Sequence, residues 1–345
     1  MTTSFVHAAK AVDLLTALHM TGPHKRPMGK QRTTDYRQSR HWGWSSNVVG
    51  IGVSRKTAGE DTKGPIAVTI YVRRKFAESR LARQQVIPRE LRLPAIGGTV
   101  ITDLVQLQGT LIGHAPADRI RPLQAGIEAA HEFGDKGTLC AIVRWQQRPG
   151  KVFGLGCSHT FARCGIDVNP DADLVEQPQA VADLNKNSVG TLTSNFSTIA
   201  FGGPANNFDF AVFEIKDPTG APSNLIIDQA RSIQSVDTRS AEELSSQVET
   251  ELFGARTQGA SGTTLAFHSS WKVGLHKPDG TIGNATFTKV VAYQTDCSEG
   301  DSGAPVLEKG KGNLLGMHFA GIQSSRFGLF MPAGPLFTDK GLTLV

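Results

Sequence analysis

The apolar residues of this chain occur in short runs separated by glycine-rich and polar turns, a pattern typical of β-strands. In the N-terminal third, β-branched content predicts strands over residues 48–53 and 66–72, and the turn-rich residues between them predict a hairpin. A third strand is predicted over residues 99–107. Residues 1–20 are predicted to form a short amphipathic helix, and residues 76–85 a basic helix. The pattern therefore predicts a small α/β unit at the start of the chain.

The pattern changes near residue 122, where short strands follow one another to the C-terminus. A polar stretch over residues 217–245 separates a first group of strands from a second. Many short strands with glycine-rich turns favour two β-barrels over a helical protein. The predicted strands are residues 137–144, 152–157, 190–192, 197–201, 210–216, 249–254, 262–268, 271–275, 286–293, 303–308, 313–320 and 327–332.

The distribution of charge supports a boundary at the same place. Residues 1–130 carry 19 Lys and Arg against 9 Asp and Glu, whereas residues 131–345 carry 17 against 22. We therefore predict an N-terminal helix with a basic flexible segment (1–45), a small α/β domain (46–122) and a larger C-terminal domain (123–345).

The basic segment over residues 24–40 is poor in apolar side chains. Three interpretations of this segment stay open. It could be a solvated flexible tail, it could dock onto the acidic C-terminal half, or it could bind nucleic acid. The tail is favoured, and nucleic-acid binding is the weakest because no recognised binding motif accompanies the charge. A homo-oligomer or a regulatory partner that contacts this basic N-terminal region also stays open.

The sequence predicts no membrane span, because no run of 18 or more apolar residues occurs. The apolar N-terminal residues are interrupted by Lys10 and Asp13, unlike a secretory signal, so a cytoplasmic location is expected. Free thiols and no required disulfide are therefore expected. The four cysteines are Cys140, Cys157, Cys164 and Cys297. No Cys and His spacing is typical of a zinc site, and neither a metal nor an organic cofactor is predicted.

The most specific motif is Gly300-Asp301-Ser302-Gly303, which an apolar strand follows. A serine between glycines is typical of a nucleophile presented on a tight loop, and Gly300 allows the sharp turn because it has no Cβ. The amides of Gly300 and Ser302 could then converge where a carbonyl oxygen gains negative charge during acyl transfer. The alternative is an ordinary turn.

A serine nucleophile needs a base within hydrogen-bond reach and a third group that orients the base. Among ten histidines, His159 is the candidate base because it follows the apolar strand at residues 152–157 so closely. Asp209 is the candidate orienting acid because it opens an otherwise apolar strand, where a carboxylate is costly to bury unless it is paired. The alternative is that Asp209 caps the strand and stays hydrated.

The Gly-Asp-Ser-Gly loop, the segment Ser158-His159-Thr160-Phe161-Ala162 and the order of the three residues resemble the chymotrypsin-like (trypsin-fold) serine proteases. The resemblance implies a chymotrypsin-like double β-barrel over residues 123–345, preceded by the small α/β domain. It implies that the catalytic residues are His159, Asp209 and Ser302, and that the oxyanion hole is formed by the amides of Gly300 and Ser302.

A looser resemblance covers most of the chain. The two N-terminal strands and residues 137–159 resemble bacterial trypsin-like proteases related to the plant Narrow Leaf protein, which carry a similar N-terminal unit.

The family resemblance also implies a primary substrate pocket. Its substrate-binding residues would be Asp296, His318, Phe319, Ala320, Gly321 and Gly328. His318 stands where glutamate-specific relatives and picornaviral proteases carry a histidine, which favours Glu or Gln before the scissile bond. Asp296 stands where trypsin binds Lys or Arg, so the two signals conflict, and we favour Glu or Gln. Alternatively, Asp296 faces solvent or His318 only packs in the barrel.

We therefore expect a serine endopeptidase that cleaves protein or peptide substrates through an acyl-enzyme. The alternative is a catalytically silent pseudoprotease that binds proteins with the same groove. Trypsin-type zymogens free an Ile-Val-Gly-Gly terminus that pairs with the aspartate before the serine, and this tetrapeptide does not occur here. Asp301 therefore needs another partner or only shapes the loop. As a hypothesis, the basic N-terminal region regulates access to the acidic protease half.

Overall fold

The computed structural model shows a chain built mainly of β-strands with three α-helices among its described residues. The structure describes residues 4–20, 47–56, 64–81, 86–107, 119–179, 187–216, 220–226, 231–239, 244 and 247–345. The helices are α1 (Phe5–His19), α2 (Ser158–Phe161) and α3 (Ala333–Lys340). The first strands are β1 (Val48–Arg55), β2 (Ile66–Val72), β3 (Glu90–Leu93), β4 (Gly98–Gln106), β5 (Gln124–Ala125), β6 (Glu128–His131), β7 (Gly137–Thr138), β8 (Ala141–Trp145), β9 (Phe153–Gly156), β10 (Leu174–Glu176), β11 (Ser188–Phe196) and β12 (Ala211–Ile215). The later strands are β13 (Ser223–Ile226), β14 (Ser235–Val236), β15 (Glu249–Leu252), β16 (Ala260–His276), β17 (Ile282–Gln294), β18 (Pro305–Glu308), β19 (Asn313–Ile322), β20 (Phe327–Pro332) and β21 (Leu342–Leu344).

Helix α1 covers one face of the N-terminal strands. Its first turn is capped by Ser4, whose hydroxyl accepts a hydrogen bond from the backbone N–H of His7 at 3.2 Å. Four buried side chains lie at helical spacing and form one apolar stripe. They are Ala8, Ala11, Val12 and Leu15. The stripe packs against the buried side chains of β1 and β2, including Ile51 and Ile70. The predicted helix and hairpin are thus confirmed in the described residues.

One large sheet joins the N-terminal strands to the second half of the chain. Its strand order is β15-β18-β19-β20-β17-β16-β1-β2-β4-β3, and β15 also pairs with β16. The six strands β15 to β20 therefore close into a ring, which is a β-barrel. Strand β1 continues from this barrel by antiparallel pairing with β16, for example Gly50 opposite Trp271.

A second sheet holds the strands of the first barrel region, in the order β21-β8-β9-β12-β11-β10-β6-β7. Its C-terminal strand β21 returns to pair with β8, with Leu342 opposite Trp145. A third, two-stranded sheet pairs β13 with β5. The chain is mainly β and its two large sheets are curled, as expected of the double-barrel class, so the predicted fold class is confirmed.

Some predicted elements differ from the structure. Over residues 76–85 the described part forms only a 3-10 turn at Glu78–Arg80, because Phe76 is exposed and offers no buried helical face. Residues 82–85 lie outside the described residues. Residues 197–201 are not a strand, and the amides of Ser197 and Ile199 donate to Phe210 and Cys164 outside any ladder.

Two other strand predictions merge or split. The strands predicted over 262–268 and 271–275 form the single strand β16, whose pairing with β17 shifts register around Ser269. The strand predicted over 137–144 splits into β7 and β8. Helix α3 had no sequence-based prediction.

Candidate active site

His159 lies directly after strand β9, on the one-turn helix α2. Strand β9 pairs with β12, and Gly156 stands opposite Ala211, so the residues flanking these two positions are brought together. Asp209 consequently makes two contacts with His159. One carboxylate oxygen accepts the backbone N–H of His159 at 3.0 Å, and the other lies 2.5 Å from its Nδ1. Asp209 is fully buried, so its charge is paired with His159 and not hydrated.

The environment of His159 suits a base. Burial alone would lower the pKa of the imidazole, but the charge and hydrogen bond of Asp209 together raise that pKa above its ordinary value. The other ring nitrogen, Nε2, is buried and has no hydrogen-bond partner among the described residues. With Nδ1 held by Asp209, Nε2 is the nitrogen left to accept a proton.

Ser302 lies on the tight loop that the motif predicts. The flanking glycines Gly300 and Gly303 have φ angles of 113° and 99°, which favour glycine. A Cβ at Gly303 would lie 2.0 Å from the carbonyl oxygen of Thr138, so the loop approaches β7 too closely for any side chain. The Ser302 hydroxyl is buried and donates to the carbonyl of Phe319 at 3.1 Å.

The two parts of the site meet at strand β19. The thiol of Cys157, two residues before His159, lies 3.5 Å from the carbonyl of His318, and Ser302 contacts the next residue, Phe319. The structure thus brings His159, Asp209 and Ser302 to one region. It shows no hydrogen bond between Ser302 and His159.

Two amides of the Gly300–Gly303 loop have no hydrogen-bond acceptor among the described residues. The carbonyls of Gly300 and Ser302 both accept from Thr138, through its hydroxyl at 2.7 Å and its backbone N–H at 2.6 Å. Within the described part of the chain, the amides of Gly300 and Ser302 donate to no protein group. Thr138 was missed by the sequence reasoning, because a contact between residues 162 positions apart has no local signature.

The candidate pocket residues separate into two groups. His318 is buried, and its Nδ1 lies 2.9 Å from the hydroxyl of Tyr293, a residue with no pocket signal in the sequence. A Cβ at Gly328 would lie 3.1 Å from Cε1 of His318, and a Cβ at Gly321 would lie 3.4 Å from the same atom. The backbone at these two glycines therefore lies so close to the imidazole ring that a side chain at either position would crowd it.

The side chains of the other candidate pocket residues make their contacts elsewhere. Asp296 is exposed and pairs with Arg326 at 2.7 Å. The side chain of Phe319 packs against Phe287 with ring centroids 4.9 Å apart, and its backbone carbonyl accepts the hydrogen bond from Ser302. Ala320 is fully buried in the same core.

The same region contains one set of potential metal ligands. Ligand atoms of Cys157, His159 and Asp209 lie within 4.8 Å of one another. Burial, and then the charge of Asp209, raise the pKa of the Cys157 thiol well above its ordinary value, which disfavours the thiolate that binds metals. Because His159 and Asp209 already bond to each other, we assign no metal role to this set. All four cysteines are buried free thiols.

No protein-family model and no curated protein matches this sequence. Among solved structures, the chain is similar to Thermobifida fusca Protease A, with 17% identity over 65% of this chain and 98% of that chain and a TM-score of 0.43. It is similar to a Cellulomonas bogoriensis chymotrypsin at 13% identity, covering 65% and 98%, with a TM-score of 0.42. It is also similar to the active form of the Rv3671c protease from M. tuberculosis at 13% identity, covering 67% and 92%, with a TM-score of 0.33.

These structural neighbours are bacterial trypsin-fold serine proteases. The resemblance to relatives of the Narrow Leaf protein stays a prediction. Among the described helices, none combines the length and hydropathy needed to cross a membrane.

Proposed function

We propose that this chain is a serine endopeptidase in which His159, Asp209 and Ser302 act as a catalytic triad. The observation that carries the proposal is the buried His159–Asp209 pair, whose free Nε2 lies in the same region as a serine with two unpaired neighbouring amides. Buried polar groups without partners are rare in folded proteins, and those that lie at this site are groups that acyl transfer needs.

The chemistry follows from these positions. The Ser302 hydroxyl turns from the Phe319 carbonyl to His159, and Nε2 takes its proton as Oγ attacks the substrate carbonyl. Asp209 stabilises the imidazolium that forms, and the amides of Gly300 and Ser302 stabilise the oxyanion. His159 then protonates the leaving amine, which leaves an acyl group on Ser302 for hydrolysis by water.

A fluorophosphonate probe tests this proposal, because it reacts only with an activated serine. We expect stoichiometric labelling of the folded chain, with the adduct located on Ser302 by mass spectrometry and lost after heat denaturation. Absence of labelling, with the fold shown intact by circular dichroism, would support the silent protein-binding alternative.

The raised pKa of His159 predicts the acid limb of the pH profile. The base must be neutral to accept a proton, so kcat/KM should rise with pH through a midpoint above 6.5. In Asp209→Asn the carboxylate that raises the pKa of His159 is lost, while the burial that lowers this pKa remains. The pH at the midpoint of the residual activity should therefore fall. A wild-type midpoint at or below 6.5 would contradict the assignment of His159.

We further propose that a glutamine side chain before the scissile bond binds next to the ring of His318. Burial, and then the charge of His159, lower the pKa of His318 to about 3, so the ring stays neutral at neutral pH. Burial raises the pKa of Tyr293 well above its ordinary value, so the phenol keeps its proton and can donate to Nδ1 of His318. The imidazole proton then lies on Nε2, which makes no hydrogen bond to a described residue.

A neutral N–H donor favours a carboxamide oxygen as its acceptor. A carboxylate is disfavoured, because its charge would enter a buried site without a countercharge. The position of Asp296 supports the same choice, because its carboxylate lies at the surface and pairs with Arg326, so this residue is not placed to bind a substrate Lys or Arg.

Peptides that differ only in the residue before the scissile bond test this proposal. We expect kcat/KM to be about tenfold or more higher for Gln than for Glu, and lowest for Lys. Tyr293→Phe should lower kcat/KM for the Gln peptide by about fivefold, since one hydrogen bond contributes about 1 kcal/mol. Tyr71→Phe, at another buried tyrosine, is the matched control and should leave the preference unchanged. Exclusive cleavage after Lys or Arg would refute the role of His318.

A further inference from the structure

Four basic side chains at the end of strand β2 and on strand β16 form one positively charged patch. They are Arg73, Arg74, Lys75 and Lys272, and we call them the basic patch. The three residues that follow β2 are exposed, whereas Lys272 is partly buried. Burial, and then the charge of Arg73, lower the pKa of Lys272, so the two cations lie within electrostatic reach of each other.

The basic patch has no counter-ion in the part of the chain that the structure describes. None of its four side chains forms an ion pair or a hydrogen bond with a described residue. By contrast, Arg148, Arg239 and Arg326 each pair with a carboxylate. A partly buried lysine beside a second cation lowers stability, because a desolvated charge is costly unless an opposite charge pairs with it. The patch is therefore suited to an anion that the described fold does not supply.

The backbone that carries the exposed part of the patch is held at each residue. The N–H of Arg73 donates to the carbonyl of Asn47 at 2.9 Å. The Asn47 side chain accepts the N–H of Arg74 and donates to its carbonyl, both at 3.0 Å. The N–H of Lys75 donates to the side-chain oxygen of Gln106 at 2.9 Å. The three basic side chains thus project from a backbone that is ordered before any ligand binds, which lowers the entropy cost of binding.

The basic patch lies beside the barrel that carries the candidate pocket. Lys272 directly follows Trp271 on β16, and the Trp271 ring packs against Phe327 with centroids 5.0 Å apart. Phe327 directly precedes Gly328, whose backbone lies beside the ring of His318. Two packed rings thus connect the patch to the pocket strand β20, and a polypeptide longer than a few residues can contact both sites.

The surroundings of the patch fit an acidic polypeptide better than a nucleic acid. Single-stranded nucleic acids bind where aromatic faces are free for base stacking. The exposed aromatic ring next to the patch is that of Phe76, and the Arg74 guanidinium lies over this ring at 5.3 Å from its centroid. Carboxylates need no such platform, because Arg and Lys bind them through charge-assisted hydrogen bonds.

We propose that the basic patch is an exosite, a substrate-binding site apart from the scissile bond, and that it binds a segment rich in Asp and Glu in the protein substrate. The inference rests on the proposed serine endopeptidase and adds a second requirement to the glutamine before the scissile bond. It gives the substrate class as proteins in which an acidic segment accompanies the cleaved sequence.

Binding is measured on the full-length Ser302→Ala variant, so that no peptide is cleaved. The probe is a fluorescent oligoglutamate peptide. We expect binding that weakens steeply as salt is added, and that the further change Arg73→Gln/Lys75→Gln weakens by about tenfold. Arg144→Gln/Lys216→Gln removes two exposed basic side chains from the first barrel region, and this matched control should bind the peptide as Ser302→Ala alone does.

The variant Lys272→Met separates a binding role from a structural one. It removes the ammonium group but keeps a long, unbranched side chain. Because the charge is partly buried without a counter-ion, the variant should unfold at a higher temperature and yet bind the acidic peptide more weakly. A lower unfolding temperature together with unchanged binding would give Lys272 a structural role and overturn the proposed exosite.

Cleavage links the patch to the proposed activity. Two substrates share one Gln-containing cleavage sequence and differ only in a flexibly linked tail, of glutamate or of serine, placed before or after it. We expect wild-type kcat/KM to be about tenfold higher with the acidic tail, mostly through KM, and Arg73→Gln/Lys75→Gln to remove most of this difference.

The outcomes distinguish the exosite from the endopeptidase. Equal effects of the patch and control variants on binding, or tighter binding of a single-stranded oligonucleotide of equal charge, would overturn the exosite. Patch-dependent peptide binding by a folded wild-type chain that the fluorophosphonate probe never labels would instead overturn the endopeptidase and leave the patch as a site for acidic peptides.

Discussion

Replacing Ser302 by alanine is expected to lower turnover by roughly 10⁴–10⁶ while the chain stays folded. The variant removes the atom that forms the acyl bond but keeps the His159–Asp209 pair and the loop backbone. Because the Ser302 hydroxyl makes one hydrogen bond to the described residues, to the Phe319 carbonyl, its loss should change the free energy of unfolding by only about 1 kcal/mol. The measurements are kcat on a cleavable peptide and thermal unfolding of both proteins.

The three residues should also behave as one unit. If Ser302 and His159 act in the same step, the double variant Ser302→Ala/His159→Ala should be no slower than Ser302→Ala alone. Ser261→Ala, an exposed serine on β16, is the matched control and should retain full activity. Additive losses in the double variant, or turnover that survives in Ser302→Ala, would show that the triad assignment is wrong.

The residues of the candidate site that could be found from the sequence are those with a local signature. Ser302 stands in a glycine-rich loop, His159 ends an apolar strand, and Asp209 opens one, so each appears within a few neighbouring positions. Their order then agrees with one known arrangement. The structure adds the 2.5 Å contact between His159 and Asp209, which no pattern of residue types could supply.

The supporting contacts could not be predicted, for two physical reasons. Thr138 reaches the nucleophile loop only because two sheets pack together, over a separation of 162 residues. The donors to Asp301 are mostly backbone amides, which every residue except proline carries, so Arg256 has no distinguishing side chain for this role. The sequence predicts Tyr293 only as part of a strand, because its hydrogen bond with His318 depends on the register between strands.

In the N-terminal region, too, contacts between distant segments could not be predicted from the sequence. Its change in charge predicted a separate domain, and that boundary stays a prediction. The structure shows β1 paired with β16, so the sheet continues from the N-terminal strands into the barrel. Strand pairing depends on backbone groups and on the packing of distant side chains, neither of which changes the local composition.

Deleting residues 1–107 is therefore expected to abolish the soluble folded protein and not merely to release a regulated protease. Tyr71 packs on Trp271 with ring centroids 4.4 Å apart, and also contacts Phe327, which directly precedes the pocket residue Gly328. Removal of β1 would also leave the long strand β16 with an unpaired edge, which promotes aggregation. Each large apolar side chain left uncovered costs about 1.5–3 kcal/mol, against a total stability of about 5–15 kcal/mol.

A point variant tests the same interface without removing the strands. A Cβ at Gly50 would lie 2.3 Å from the ring of Trp271, so Gly50→Ala should lower the free energy of unfolding by about 1–3 kcal/mol through overpacking. Gly203→Ala is the matched control, because its Cβ would meet only one backbone oxygen, at 3.9 Å. Denaturant unfolding measures the free energy of unfolding of both glycine variants. Near-UV circular dichroism and probe labelling show whether the variant that lacks residues 1–107 is folded and reactive. A soluble deletion variant with native spectra and unchanged labelling would refute both an integral role for the N-terminal strands and their regulation of access, since the barrel would then fold and react without them.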